Sequence, residues 1–268
     1  MIVERATAML AEAGVPTPQA DAEWIVAHAL GLNRSELVAD SHKVRDDAAV
    51  WPLVERRALR EPLAYVLGEW GFRRLTLRCD ARALVPRPET EQLVERCLEL
   101  LRDVVAPRVL DVGTGTGAIA LALKDERPDA TVVALDASAA ALALARENAN
   151  ATGLDIELLH ADLHDGLPSG PFDLVVSNPP YVRAEELDAL EPEVRDWEPR
   201  NALVDEGQTA ALVRAASTVL ALGGHLVLEV HAEGAADIVR LMQEAGYAEV
   251  RITQDLAGRD RIVEGERQ

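Results

Sequence analysis

Between Arg108 and Leu123 the sequence reads RVLDVGTGTGAIALAL, a mostly apolar run, three glycines separated by single threonines, and a second apolar run. This is a buried strand entering a glycine-rich turn and then a helix. Glycine is needed in such a turn because the backbone reverses sharply and lies close to a ligand, where a Cβ would collide. Nineteen residues after Gly117, at the end of the next predicted strand, stands Asp136. A carboxylate at that point accepts hydrogen bonds from both ribose hydroxyls of an adenosine. The turn therefore predicts an adenosine ligand in a Rossmann-like site. It does not choose the cofactor, since Gly113, Gly115 and Ala118 also satisfy the looser dinucleotide pattern.

Around this turn, strands and helices alternate. The pattern predicts strands at Arg108–Val112, Thr131–Leu135, Ile156–His160, Leu174–Ser177 and His225–Val230. It predicts helices over Thr90–Arg102, Gly117–Lys124, Ala139–Ala151 and Thr209–Leu222. Repeated β-α-β units imply a mostly parallel sheet with helices on both faces. Two short strands near Ala248–Gln254 and Arg261–Glu264 close an antiparallel edge. Upstream, residues 1–67 read as a small bundle, with helices from Ile2 to Ala13, from Pro18 to Leu30 after Thr17 as N-cap, and from about Asp47 to Arg60. This bundle is a candidate for substrate recognition or only for packing. Residues 68–85 read as a linking β-hairpin, its first strand starting at Phe72 and its return at Leu84-Val85. Residues 86–268 form the larger domain.

Charge narrows the partners. The 268 residues hold 46 acidic and 27 basic side chains, a net charge of −19. Almost all of the excess lies beyond residue 75. Duplex DNA binding draws on Lys and Arg that displace counterions, and this chain is poorly equipped for it. No apolar stretch near the glycine turn is long enough to cross a bilayer. The N-terminus does not read as a signal peptide. Cys79 and Cys97 have no metal or disulfide pattern, so the expectation is a cytoplasmic protein with reduced thiols. His160 and His164 straddle a strand end, and no metal site is expected.

The strand Phe172–Ser177 runs directly into Asn178-Pro179-Pro180-Tyr181, at the carboxyl end where ligands sit in such sheets. Two prolines hold the backbone extended and remove two N–H donors, leaving carbonyls that only accept. The Asn178 side-chain oxygen and the Pro179 carbonyl can accept both hydrogens of an NH₂ group, and Tyr181 offers a ring face to a flat substrate. The arrangement suits a planar nitrogen whose lone pair is delocalised. Asp111, just before the glycines, places negative charge near the ligand. That disfavours a pyrophosphate and suits the sulfonium and ammonium of S-adenosylmethionine. Asp162, after the third strand, is placed for the adenine amino group. Together these features predict an S-adenosylmethionine-dependent methyltransferase acting on an amide or amino nitrogen.

Several motifs spread over nearly the whole chain resemble the peptide chain release factor N(5)-glutamine methyltransferases, the HemK or PrmC family. They are Glu61-Pro-Leu-Ala-Tyr65 with Gly68, Leu84-Val-Pro-Arg-Pro-Glu-Thr-Glu91, the glycine turn, Ser177-Asn-Pro-Pro-Tyr181, Trp197-Glu-Pro-Arg200 and Gly258-Arg-Asp-Arg261. The resemblance implies a class I methyltransferase fold with a mostly parallel seven-stranded sheet. It implies a substrate, the glutamine amide in the Gly-Gly-Gln loop of class 1 release factors. The product cofactor is then S-adenosyl-L-homocysteine. Asp111, Gly113, Thr114, Gly115, Thr116, Gly117, Asp136, Asp162, Leu163 and Asn178 are expected at the cofactor. Asn178, Pro179, Pro180 and Tyr181 are expected to be catalytic and, with Arg87 and Glu89, to meet the substrate. Two features depart from the family pattern. Leu163 stands where relatives often carry an aromatic residue, and Glu229-Val-His231-Ala replaces a more usual Glu-x-Gly-x-x-Gln run. The expected partner is a release factor and the expected state a monomer, with no DNA and no membrane. The nearest alternative substrate is a glutamine in a ribosomal protein. An adenine-amino methyltransferase of DNA or RNA shares the tetrapeptide but conflicts with the charge and lacks a target-recognition domain.

Overall fold

The structure, a computed structural model, describes residues 2–33, 36–37, 48–255 and 257–268. It divides into two compact units, one of residues up to Trp70 together with Leu190–Trp197, the other of Gly71–Ala189 and Glu198–Gln268.

The first unit holds helices α1 (Ile2–Glu12), α2 (Pro18–Ala29), α3 (Val50–Ala58) and α4 (Leu63–Leu67). Ala6, Leu10, Ile25, Val26, Val50 and Val54 meet in its core, as the helical spacing of these apolar positions requires. The predicted start of the third helix at Asp47 lies outside the described residues. Thr17 is not a side-chain cap; its hydroxyl donates to Asp21 Oδ1 at 2.8 Å. Asp21 is in turn one of two carboxylates around the buried guanidinium of Arg57. Arg57 Nε donates to Asp21 Oδ2 at 2.7 Å and Nη2 to Glu193 Oε1 at 2.8 Å. Nη1 reaches the Glu61 carbonyl at 3.1 Å. Glu193, from the short helix Pro192–Arg195 in the later segment, also holds Arg60 at 2.6 Å. Burial pushes the Glu193 carboxyl up, but Arg60 and Arg57 outweigh it and hold it below the usual carboxylate range.

In the second unit, β1 (Glu69–Phe72) and β2 (Leu75–Arg78) form a two-stranded sheet, β1 beginning two residues before the unit boundary. The single strand predicted from Phe72 to Arg78 is thus broken at Arg73, which adopts φ 51. Leu84-Val85 form no strand. The main sheet contains β3 (Arg108–Val112), β4 (Thr131–Asp136), β5 (Glu157–His160), β6 (Phe172–Ser177), β7 (Leu220–Glu229), β8 (Tyr247–Gln254) and β9 (Asp260–Arg267). Their order is β5-β4-β3-β6-β7-β9-β8, parallel as far as β7, with β9 antiparallel to both β7 and β8. Val109, Leu174 and Val176 face a core shared with Ile119 and Leu93; Leu110, Val112 and Val175 face one shared with Leu212 and Met242. Alternate residues of a strand point to opposite faces, and both faces are covered by helices. No helix among the described residues is long and apolar enough to cross a membrane.

Two helix boundaries stand apart from the sequence reading, and one helix is additional to it. The helix expected at Thr90 begins at Pro88, with Pro88 in the first turn, where its missing N–H costs nothing. The helix expected to reach Leu222 ends at Val219, because Leu220 pairs with Phe172 at the start of β7. Ala235–Glu244, given no element in the sequence reading, is a helix.

Removing one member of a buried ion network leaves the others uncompensated, which costs about 3–5 kcal/mol. Arg57→Ala is therefore expected to lose roughly that much stability. Arg240→Ala, at an ion pair exposed on both sides, is expected to leave it near the wild-type value. Urea titration followed by tryptophan fluorescence measures the difference, and all four tryptophans belong to the first unit.

Candidate active site

β3 and β6 are neighbours at the point where the strand order reverses, so the loops leaving their carboxyl ends lie side by side. Ser177 Oγ donates to the Val112 carbonyl at 2.6 Å and ties the two strand ends together. From Val112 the chain enters the glycine turn. The N–H groups of Gly113 and Thr114 both donate to the Leu135 carbonyl, at 2.9 and 3.0 Å, which fixes the turn to β4. Gly113 adopts φ 75 with open space where a Cβ would stand. Gly117, at φ 84, is tighter: a Cβ there would lie 3.2 Å from Leu121 Cδ1 and 3.3 Å from Ala145 Cβ. The third glycine thus serves helix packing, and the first leaves backbone open to a ligand.

One cavity is lined by Gly113–Thr116, Asp136, Asn178, Pro180 and Arg87, together with the Arg82–Pro86 segment. Asp136 stands at the end of β4, where its carboxylate accepts from Gly115 N at 2.9 Å and Ser138 N at 2.8 Å. Burial pushes its pKa up, against those two hydrogen bonds. A carboxylate offers about four lone-pair sites, so each oxygen keeps one for a ligand hydroxyl. These residues fit an adenosine-bearing group: open backbone at the turn, a half-buried carboxylate, and an apolar wall of Ile119 and Ala141.

Asp111 does something other than line this cavity. It shares strand parity with Val109 and points beneath the turn. Its Oδ2 accepts from Thr114 Oγ1 at 2.6 Å and Ala120 N at 3.2 Å, while Oδ1 is buried with no partner. Desolvation pushes its pKa up to about 7 against those two bonds. Its carboxylate holds the turn onto the following helix. Asp162 and Leu163 also lie outside the cavity lining. Asp162 caps the 3-10 turn Leu163–Asp165, accepting from His164 N at 2.8 Å, and Leu163 packs against the core that contains Leu212.

The residues of the tetrapeptide divide between two cavities. Asn178 and Pro180 line the first. Pro179 and Tyr181 line a second, whose wall carries Glu229, His231, Glu186, Asp205 and Asp237. The sequence reading placed all four at one crevice; alternate residues of the segment instead open onto different cavities. The Pro180 carbonyl accepts from Thr209 Oγ1 at 3.3 Å. Among the described residues, the Pro179 carbonyl and Asn178 Oδ1 accept from nothing. Asn178 Nδ2 donates to Thr90 Oγ1 at 3.3 Å. The Tyr181 ring lies 6.2 Å from that of His231, tilted by 34°.

Arg87 is held in the cavity wall by Glu198, to whose two oxygens it donates at 2.7 and 2.6 Å. Glu198 is buried and also accepts from Val85 N. Burial pushes its pKa up, opposed chiefly by Arg87. Glu89 lies outside the lining and reaches Arg259 at 3.7 Å. Sequence reasoning missed Glu198 and the Ala83–Val85 wall, and it gave Thr90 a place in the crevice, within Glu89–Glu91, without a role of its own. The Trp197-Glu-Pro-Arg and Pro-Glu-Thr-Glu motifs carried Glu198 and Thr90, but nothing local shows where those side chains point. Among the described residues, no group of three His, Cys, Asp or Glu side chains could hold a metal ion.

Comparisons with known proteins bear on the family and the fold. A family model described as PrmC N-terminal domain matches residues 2–68, and one described as Methyltransferase small domain matches residues 90–197. The chain is 48% identical to the release factor glutamine methyltransferase of Deinococcus radiodurans, over 99% of this chain and 97% of that protein. It is 40% identical to the enzyme of the same name from Caulobacter vibrioides, over 96% and 92%. Among solved structures, the Thermus thermophilus 16S rRNA N2 G1207 methyltransferase, in complex with AdoMet and guanosine, superposes with a TM-score of 0.56. It is 20% identical and covers 75% of this chain and 50% of that one, a likeness of fold.

The buried Asp111 makes a pH prediction. A folded pKa near 7, against 3.8 for the free side chain, means that the unfolded chain releases this proton first. The wild type therefore loses stability from this group as pH rises from about 4 to about 7. Asp111→Asn keeps the acceptor for Thr114 and Ala120 without the charge. Its stability relative to wild type should climb through that window and level off above it, as read by urea unfolding at pH 4.5, 6 and 8. A constant difference would contradict the assignment.

Proposed function

Since the chain belongs to the release factor glutamine methyltransferases, an S-adenosylmethionine-dependent family, we propose that Asn178–Tyr181 presents the substrate amide to a cofactor seated on Gly113–Asp136. The protein methylates a release-factor glutamine. The finer reading is that this glutamine is the one in the Gly-Gly-Gln loop of class 1 factors. The observation that carries it is the pair of open acceptors, Asn178 Oδ1 and the Pro179 carbonyl, on a loop beside the glycine turn.

An amide nitrogen is a poor nucleophile because its lone pair is shared with the carbonyl. Two acceptors on its hydrogens draw the nitrogen toward a pyramidal shape and fix it for attack; positioning and preorganised charge supply the rate. The first cavity would hold S-adenosylmethionine, which when bound would supply the methyl group, with S-adenosyl-L-homocysteine as the other product and the displaced amide proton passing to solvent. Asp136 takes the ribose hydroxyls. Thr114 and Thr116 border the cavity beside the open glycines, and Asp162 keeps Oδ2 to accept from the adenine amino group. Asp111 acts from below, holding the turn in shape, and Leu163 supports the floor near it by packing. Arg87, fixed by Glu198, meets the substrate loop, and Glu89 orients Arg259 at the same rim. Tyr181 flanks the substrate from the second cavity. The chemistry needs only positioning and charge, and invokes no metal. A release-factor surface that meets ribosomal RNA is expected to be basic, and the −19 charge of this chain would complement it. The same charge disfavours DNA. The reading places the enzyme in the cytoplasm, working as a monomer without a membrane.

Methyl-labelled S-adenosylmethionine tests the substrate. Label is expected on a release factor and is expected to be absent when its loop glutamine is changed to alanine; equal label on both would sink the assignment. Asn178→Ala should lose nearly all turnover with cofactor affinity within a few-fold, and near-normal turnover would refute the two-acceptor mechanism. Raising salt from about 50 to 500 mM should raise KM for the release factor, because screening shortens to a few ångströms. A KM that does not respond to salt would remove the charge-matching argument.

A further inference from the structure

An asparagine amide has two ends of almost the same shape, and only one of them serves this site. With Oδ1 toward the substrate, Asn178 accepts a hydrogen from the glutamine NH₂. Turned over, it would set donor against donor. Something must decide which end faces the substrate, and the decision lies two residues away from Asn178 in a relay of hydrogen bonds.

Asn178 Nδ2 donates to Thr90 Oγ1 at 3.3 Å, and Thr90 Oγ1 donates to Glu229 Oε2 at 2.7 Å. Both Thr90 and Glu229 are buried, the latter 1% exposed. They come from separate elements, the first turn of the helix Pro88–Leu100 and the end of β7. An ionised carboxylate has no hydrogen to give. The single hydroxyl hydrogen of Thr90 therefore goes to Glu229, and Thr90 has only lone pairs left to offer Asn178. Only the NH₂ end of the asparagine can answer that.

We propose that Thr90 and Glu229 are positioning residues that fix the orientation of the Asn178 amide, so that its oxygen faces the acceptor nitrogen. The inference rests on the reading of Asn178 as an acceptor for the glutamine amide. The relay has a direction only while Glu229 is ionised. A protonated Glu229 could donate to Thr90, whose hydroxyl could then donate to Asn178 Oδ1 and turn the amide over. Burial pushes the Glu229 pKa up to about 7, while Thr90, Arg261 and Arg87 pull it down and Glu89 pushes it up. Tyr181, His231, Arg183, Glu186, Asp205, Glu233 and Asp237 share the cavity that Glu229 borders. The orientation is thus expected to hold above neutrality and to fail on acidification.

The test uses the full-length enzyme and a release factor, with single-turnover methyl transfer measured from pH 6 to 9 at saturating cofactor. Wild type should lose rate toward acid, with a midpoint near 7. Thr90→Val, which keeps the shape and removes the hydroxyl, should lower the rate constant about tenfold or more at pH 8, the worth of a hydrogen bond at a buried site. Its cofactor affinity should stay within about threefold and its acid limb should flatten. Thr90→Ser should recover both rate and limb, whereas Glu229→Gln, unable to impose a direction, should be slow and flat. Thr90→Val with the wild-type rate and pH limb overturns the inference alone. A loss confined to cofactor affinity, or one that serine does not recover, overturns it equally, as a merely structural threonine would behave so. Should Thr90→Val fail to fold, the Ser and Gln variants still decide, since an intact acid limb in Glu229→Gln is incompatible with the relay. A wild type that leaves the release factor unlabelled overturns the reading of the site itself and the inference with it.

Discussion

The hydrogen bond from Ser177 Oγ to the Val112 carbonyl, 2.6 Å long, joins the ends of two adjacent parallel strands. Both active loops leave the sheet from that junction. One is the glycine turn, held down by Leu135 and by Asp111 from beneath; the other is the proline segment, stiff because two of its φ angles are closed to rotation. On the proposed reading, displacing either loop by an ångström would separate the acceptor nitrogen from the methyl donor. The buried sheet supplies the rigid base from which the two loops are aimed.

Around that junction, charge is used mainly as structural fastening. Asp111, Glu198 and Glu229 are buried carboxylates: Asp111 ties the glycine turn to β3 through the Thr114 hydroxyl, Glu198 holds the Arg87 guanidinium and the Val85 N–H, and Glu229 ties the helix Pro88–Leu100 to β7 through the Thr90 hydroxyl. Desolvation pushes all three upward in pKa. Asp136 is the acid in this region that opens onto the first cavity. The acidic excess of the chain thus has two parts, a solvated surface that can attract a basic protein and a small buried set that shapes the site.

Patterns carried by consecutive residues were readable in the sequence. β3 and its glycine turn, Asp136 at the next strand end and the start of the tetrapeptide at the end of β6 all lie where periodicity and spacing put them. Side-chain direction was not readable. Asp111 and Asp136 look alike as acids beside a turn, yet one points under it and the other over it. Thr90 and Glu229 are 139 residues apart, and nothing local to either announces the other. The helix Ala235–Glu244 had its signal, with Ile238, Leu241 and Met242 at helical spacing, but the sequence reading gave it no element. Leu220–Leu222 have good helix propensity, and pairing with Phe172 overrides it.

Glu193 has a consequence for how the protein is born. It reaches back across 136 residues to Arg57 and completes the ion network inside the helical unit. During synthesis, the first 70 residues leave the ribosome long before Glu193 does. At about 5–20 residues per second, roughly 7 to 27 s pass in which, among the described residues, Asp21 is the one carboxylate that the buried guanidinium has. The helical unit is therefore first in the gene but cannot be first to finish folding. It reaches its final form only after the loop beyond the active-site tetrapeptide has been made, so its maturation is timed by the catalytic half of the chain.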